Sequence, residues 1–240
     1  MLGIMQNSPI ENKLSIIVPV FNEEQSVAES IKAVCAVNIT KEIVIVDDGS
    51  TDKTIEILER DILPQFGYIR LIKHGVNRGK GAAIRTGIQE AVGDYIVIQD
   101  ADLEYDPTDF TIMLQAFKDK TIDVVYGSRF LSGRKVTNIL HYLVNQFITQ
   151  LGNLLYGSRL TDLETCYKMA KPNVFKDLNL ISNGFEVEVE ITAKILKKKY
   201  RIVEVPVRYR GRSYEEGKKI TWKDGFKAVR DLFKFRFTKD

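Results

Sequence analysis

The sequence predicts an α/β fold in which a mainly parallel sheet is covered by helices on both faces. Two observations carry that expectation. Short apolar runs of strand length alternate with amphipathic stretches of helix length through the first half of the chain. Acidic and glycine-rich clusters punctuate the ends of those runs, where turns and helix caps are due.

Residues 14–20 (LSIIVPV) read as a buried strand, and a helix is expected from about 23 to 37 with Val27, Ile31 and Val34 on one face. Residues 42–46 (EIVIV) form the second strand, closed by Asp47-Asp48-Gly49-Ser50. Ser50 or Thr51 is expected to cap a helix reaching about Asp61. A strand at 68–73, a helix at 79–92 and a strand at 94–98 complete the alternation. A helix at 107–117 and a strand at 122–126 follow. Residues 136–158 contain no Asp, Glu, Lys or Arg, yet polar residues interrupt the apolar ones, so an amphipathic helix is expected and a spanning one is not. A helix at 184–198, a strand at 201–209 and a basic helix at 222–237 end the chain. In that last helix Trp222, Phe226, Val229, Phe233 and Phe237 oppose Lys223, Lys227, Arg230 and Lys234. Residues 1–210 are expected as one domain, with 211–240 a basic amphipathic extension of the same compact unit.

Of the 240 residues, 44% are hydrophobic and 28% charged, enough for a sizeable core and unlike a disordered or collagenous chain. Two cysteines, Cys35 and Cys166, do not make a disulfide framework, which favours a reducing compartment. The net charge of +3 conceals an asymmetry. Residues 194–240 hold 16 Lys or Arg against 6 Asp or Glu, leaving 19 against 26 for the rest. A basic end of that kind meets phosphates in nucleotides, lipids or nucleic acid, and no nucleic-acid recognition motif accompanies it. No targeting signal stands at residues 1–12, so a cytoplasmic location is expected, with peripheral contact to the membrane face.

Ligands of a parallel α/β sheet bind beyond the C-terminal strand ends. Three such ends carry chemistry: Pro19, Phe21 and Glu23 at the first, Asp47 and Asp48 at the second, and Asp100-x-Asp102-x-Glu104 at the fourth. Carboxylates two apart around a turn suit a hard divalent cation, but they also suit an Asx turn. Gly79-Lys80-Gly81 opens a helix, either as an anion cradle together with Arg78 or as a plain chain turn. The spacing is not that of a Walker A loop, and the first turn lacks the dinucleotide fingerprint.

Residues 14–24 (LSIIVPVFNEE), 42–54 (EIVIVDDGSTDKT), 77–87 (NRGKGAAIRTG) and 93–107 (GDYIVIQDADLEYDP) resemble the family 2 glycosyltransferases. Gly127-Ser128-Arg129, Asp162-Leu163-Glu164-Thr165 and Glu204-Val205-Pro206-Val207 are similar to the polyprenyl-phosphate branch of that family, typified by dolichol-phosphate mannose synthase. The resemblance implies a GT-A (Rossmann-like) fold and an inverting transfer of a hexose from a UDP- or GDP-linked donor to a polyprenyl or dolichyl phosphate. It implies that Pro19, Phe21, Glu23 and Asp48 line the base and ribose pocket with Asp47 in support. Lys80 and Asp100 also belong to the donor site. Asp100 and Asp102 would hold Mg²⁺ or Mn²⁺, with Glu104 where the synthases often carry Gln. Asp102 and Arg129 are the catalytic candidates, Arg129 facing a phosphate. Arg212 and Lys218 match a basic pair on the donor phosphates, with Lys219 able to share that role. Two alternatives stay open: a hydroxyl acceptor, with Asp162 or Glu164 as general base, and a non-catalytic nucleotide-binding module. A homodimer is compatible with either apolar stripe.

Overall fold

The computed structural model describes residues 12–131, 139–211 and 222–238. Among them the chain runs β1 (Leu14–Val20), α1 (Val27–Ala36), β2 (Lys41–Asp47), α2 (Thr54–Ile57), β3 (Ile69–Lys73), α3 (Lys80–Glu90) and β4 (Tyr95–Ile98). It continues with α4 (Phe110–Ala116), β5 (Val124–Ser128), α5 (Ile139–Tyr156), β6 (Lys168–Ala170), α6 (Pro172–Asp177), α7 (Val187–Lys197), β7 (Ile202–Pro206) and α8 (Trp222–Phe237). The described residues form a seven-stranded sheet in the order β3-β2-β1-β4-β6-β5-β7. All neighbours pair in parallel except β6, which runs antiparallel to both β4 and β5.

The central strands bury both faces, which is why their sequences are apolar throughout instead of alternating. Leu14, Ile16, Ile17, Val18, Ile43, Val44, Ile45 and Val46 have no exposed surface. Helix α3 covers one face of β1 and β2, where Val44, Val46 and Ala83 make a cluster and Gly87 lies against Ile17. A second core joins α5, α7 and α8 through Ile148, Leu163, Val189, Ala228 and Leu232.

One local expectation is revised, and two features go beyond the sequence reading. Neither Ser50 nor Thr51 caps α2: Asp52 Oδ1 accepts from the Thr54 backbone N–H at 3.0 Å, while Ser50 Oγ accepts from Asn22 N–H at 2.9 Å. The Ser50 contact thereby ties the loops after β1 and β2 together. The helix continues past Ile57 as a widened π turn at Leu58–Ile62 and a 3₁₀ turn at Leu63–Gln65, where Pro64 stops it. Strand β6 and helix α6 escape the apolar-run reading, because β6 is three residues long and one of them is Lys168.

The antiparallel β6 has a positional consequence. The loop that leads into it, residues 161–167, arrives at the same sheet edge as the C-terminal ends of β1, β2, β4 and β5. The residues that follow β1, β2 and β4 therefore share that edge with the 161–167 loop.

Candidate active site

At the end of β2, Asp47 and Asp48 are buried and do different work. Asp47 Oδ2 accepts from the backbone N–H groups of Gly49 and Ser50, both at 3.1 Å, and its Oδ1 is a buried oxygen without a hydrogen-bond partner among the described residues. Asp48 accepts from Arg78 N–H at 3.0 Å and Gly79 N–H at 2.6 Å, and its Oδ1 lies 2.7 Å from His74 Nδ1. His74 Nε2 meets Thr86 Oγ1 at 2.9 Å on α3. Asp48 thus organises the whole 74–79 loop. Of the open readings for Gly79-Lys80-Gly81, the chain turn prevails. Gly79 has φ +97°, Gly81 N–H donates to Asn183 O at 2.6 Å, and a side chain at either glycine would strike the 182–183 backbone. The N–H groups of Arg78, Gly79 and Gly81 are already used.

Beyond β4, Lys80 Nζ lies 2.7 Å from Asp100 Oδ1 and 2.9 Å from its Oδ2, and 3.1 Å from Glu188 Oε1. The other Glu188 oxygen is 2.5 Å from Nζ of Lys168, which is wholly buried and also donates to Thr165 O. Burial opposes the charge on Asp100, yet the ammonium beside it prevails and holds its carboxyl below the ordinary aspartate range. Asp102 Oδ1 accepts from Glu104 N–H at 3.1 Å, with Leu103 between them at φ +61°. Glu104 Oε2 accepts from the Tyr209 hydroxyl at 2.8 Å. Among the described residues no three His, Cys, Asp or Glu side chains are grouped to hold a metal. The expected three-carboxylate set of Asp100, Asp102 and Glu104 is therefore not assembled, since Asp100 is held by Lys80 and Glu104 by Tyr209.

At the end of β5, Arg129 Nε donates to Asp162 Oδ2 and Nη2 to Asp162 Oδ1, both at 2.7 Å, and its backbone N–H donates to Oδ2 at 3.0 Å. This is a planar two-point pair with a carboxylate that has no exposed surface. Nη2 also donates to Asn145 on α5 at 3.2 Å, and the guanidinium lies 5.2 Å from the Tyr209 ring centre. Asp162 is set in turn by Glu204 of β7, which accepts from Thr161 N–H at 2.8 Å and Asp162 N–H at 3.1 Å. Asp162, proposed above as a possible base, has both oxygens committed to Arg129. Glu164 differs: burial pushes its carboxyl up to about 7.

Pro19, Phe21 and Glu23 are half-buried at the end of β1, where Glu23 N–H donates to Thr54 Oγ1 at 2.9 Å and Glu23 Oε2 accepts from Ser26 Oγ at 2.7 Å. Arg212, Lys218 and Lys219 lie outside the described residues. Sequence reasoning missed His74, Asn145, Lys168 and Glu188. The signal that could have found Lys168 is a charge inside a short apolar stretch, and for Glu188 it is an acidic residue on the buried α7.

Helices α5 and α8 carry apolar side chains outward as well as inward. On α5, Ile148 is buried while Leu143 is 56% and Phe147 62% exposed. On α8 the protein-facing residues are Ala228, Leu232 and Phe235, whereas Phe226, Phe233 and Phe237 of the expected stripe face out. No helix among the described residues is long and apolar enough to cross a membrane.

Comparison with known proteins agrees with this layout. A family model described as glycosyl transferase family 2 matches residues 15–178. A dolichol-phosphate mannosyltransferase of Pyrococcus furiosus is 29% identical over 92% of this chain, which spans 63% of that protein. A dodecaprenyl-phosphate galacturonate synthase of Rhizobium johnstonii is 30% identical over 73% of the chain, spanning 53% of its own length. Among solved structures, glucosyl-3-phosphoglycerate synthase of Mycobacterium tuberculosis, in complex with Mn²⁺, UDP and phosphoglyceric acid, superposes with a TM-score of 0.70 at 17% identity. That match covers 96% of this chain and 80% of the other.

Proposed function

The chain belongs to glycosyl transferase family 2, and from that premise we propose that it moves a hexose from a nucleotide-diphosphate sugar to a polyprenyl or dolichyl phosphate at a membrane surface, with inversion. The observation that carries the acceptor class is the position of Arg129. Its guanidinium is held at the sheet edge by Asp162 and touches Asn145 of α5, the helix whose outer side exposes Leu143 and Phe147. A guanidinium beside an apolar, outward-facing helix fits a lipid whose phosphate and hydrocarbon parts must be met together.

In this reading Pro19, Phe21, Glu23 and Asp48 line the base and ribose pocket, with Asp47 as support. Asp48 acts by ordering the 74–79 loop as much as by direct contact. Asp100 and Asp102 would hold Mg²⁺ or Mn²⁺. Two features support the fit: the donor atoms are hard carboxylate oxygens, and a cation already stands on Asp100 in the form of the Lys80 ammonium. When bound, the ion supplies Lewis-acid neutralisation of the charge that grows on the diphosphate. Lys80, and Arg212 and Lys218 of the basic segment, bear on the same phosphates. Arg129 orients the acceptor phosphate for attack on the anomeric carbon from the face opposite the leaving group. The carbon–oxygen bond to the diphosphate breaks with its electron pair on the departing oxygen. An acceptor phosphate is already anionic near neutral pH, so no proton must be removed.

Glu164 favours a second reading, transfer to a hydroxyl. A carboxyl raised to about 7 lies where a general base works. One assay separates the two: incubation with Mn²⁺ and a panel of UDP- and GDP-hexoses, with and without polyprenyl phosphate. Nucleoside diphosphate release that depends on the lipid phosphate is expected. Release triggered only by sugars or other hydroxyl compounds would favour the hydroxyl reading.

A further inference from the structure

The Lys80 side chain sits between two carboxylates, 2.7 Å from Asp100 Oδ1 and 3.1 Å from Glu188 Oε1. It occupies both oxygens of Asp100, the same oxygens a divalent cation needs. Its backbone has little freedom, because Gly79 and Gly81 on either side are wedged against the 182–183 backbone and Gly79 N–H is held by Asp48. Only the four-carbon stem can swing. If Asp100 is taken by another cation, Glu188 remains a counter-ion for the ammonium.

We propose that Lys80 is a tethered competitor for the divalent cation, so that the protein takes the metal together with a nucleoside diphosphate and resists taking it alone. The inference rests on the reading of Asp100 and Asp102 as metal ligands. Without nucleotide, an entering cation must displace the ammonium from Asp100 and gains only the few protein oxygens there. With a diphosphate present, phosphate oxygens complete the cation's shell, and the displaced ammonium finds new negative charge beside it. The coupling is reciprocal: whatever factor the nucleotide adds to metal affinity, the metal adds to nucleotide affinity. Glu188 is then a positioning residue, holding Lys80 in reach of both states.

The test is Mn²⁺ titration followed by the electron paramagnetic resonance signal of free Mn²⁺, with and without UDP or GDP. The proteins compared are the wild type, Lys80→Met and Lys80→Arg, with a melting curve for each. Lys80→Met is expected to bind Mn²⁺ alone about tenfold or more tightly than the wild type, the size of effect seen when one partner leaves a desolvated charge pair. Lys80→Arg keeps a cation on Asp100 and is expected to stay as weak as the wild type. Should Lys80→Met fail to melt cooperatively, the double variant Lys80→Met/Glu188→Gln removes the surplus negative charge and serves the same comparison. Equal Mn²⁺ binding by wild type and the Met variant without nucleotide, with both taking Mn²⁺ when nucleotide is added, would overturn the competition and leave the metal reading standing. Absence of Mn²⁺ binding in every protein and condition would overturn the metal reading, and the competition with it.

Discussion

Arg129 and Asp162 form a buried charge pair whose two halves are held from opposite sides, Arg129 by Asn145 and Asp162 through the Glu204-bound loop. Removing one partner leaves the other charge stranded. Asp162→Asn is expected to lower unfolding stability by about 3–5 kcal/mol in a urea titration. Glu164 has a separate signature. The folded protein keeps a proton there that the unfolded chain has already lost between the ordinary value of 4.5 and about 7. Stability therefore declines as pH rises through that window, by about 3 kcal/mol in all, and Glu164→Gln is expected to flatten the decline. Unfolding midpoints measured from pH 4 to 8 check this; parallel profiles for the two proteins would refute it. The acidic candidates Asp47, Asp48, Asp100 and Asp102 were legible because they end apolar runs. Their partners were not. His74 on Asp48, and Lys168 and Glu188 joined to Asp100 through Lys80, come from distant stretches of chain, and only the folded sheet edge gathers them.

Helix α3 begins where it does because two glycines let it abut the 182–183 segment. Gly81→Ala is expected to cost about 1–3 kcal/mol by forcing backbone apart, measurable as a lower melting temperature. An alanine melting like the wild type would show that this seam yields. The periodicity of α5 and α8 correctly announced amphipathic helices, yet it could not divide their apolar residues between protein and exterior. Each helix has two apolar sides, because α5, α7 and α8 share a small core of their own. The division yields paired outcomes. Ile148→Ala, inside that core, is expected to cost about 2–5 kcal/mol of stability. Leu143→Ser with Phe147→Ser is expected to leave the melting temperature nearly unchanged and to weaken sedimentation with anionic lipid vesicles. Unaltered vesicle binding by that double variant would remove α5 from the membrane-facing account. Strand β6 shows a different limit of sequence reading, since three residues with a buried lysine carry neither length nor alternation.

At the scale of the molecule, one antiparallel strand in an otherwise parallel sheet gathers the chemistry. It returns the 161–167 loop to the edge where β1, β2, β4 and β5 end, so a metal-type carboxylate pair and a clamped arginine share one margin. The parallel α/β class and the succession of strands along the first half of the chain followed from alternation alone. The charge asymmetry was legible too, although its basic residues Arg212 and Lys218 lie outside the described part of the chain. The most direct measurement of the central claim is the fate of the sugar itself. After incubation with a hexose-labelled nucleotide sugar, Mn²⁺ and polyprenyl phosphate in vesicles, label in the organic phase should belong to a lipid phosphate carrying one hexose. That product should be lost in Arg129→Gln and Asp102→Ala. Label confined to the aqueous phase, on a hydroxyl acceptor or as nucleotide sugar left intact, would contradict the account.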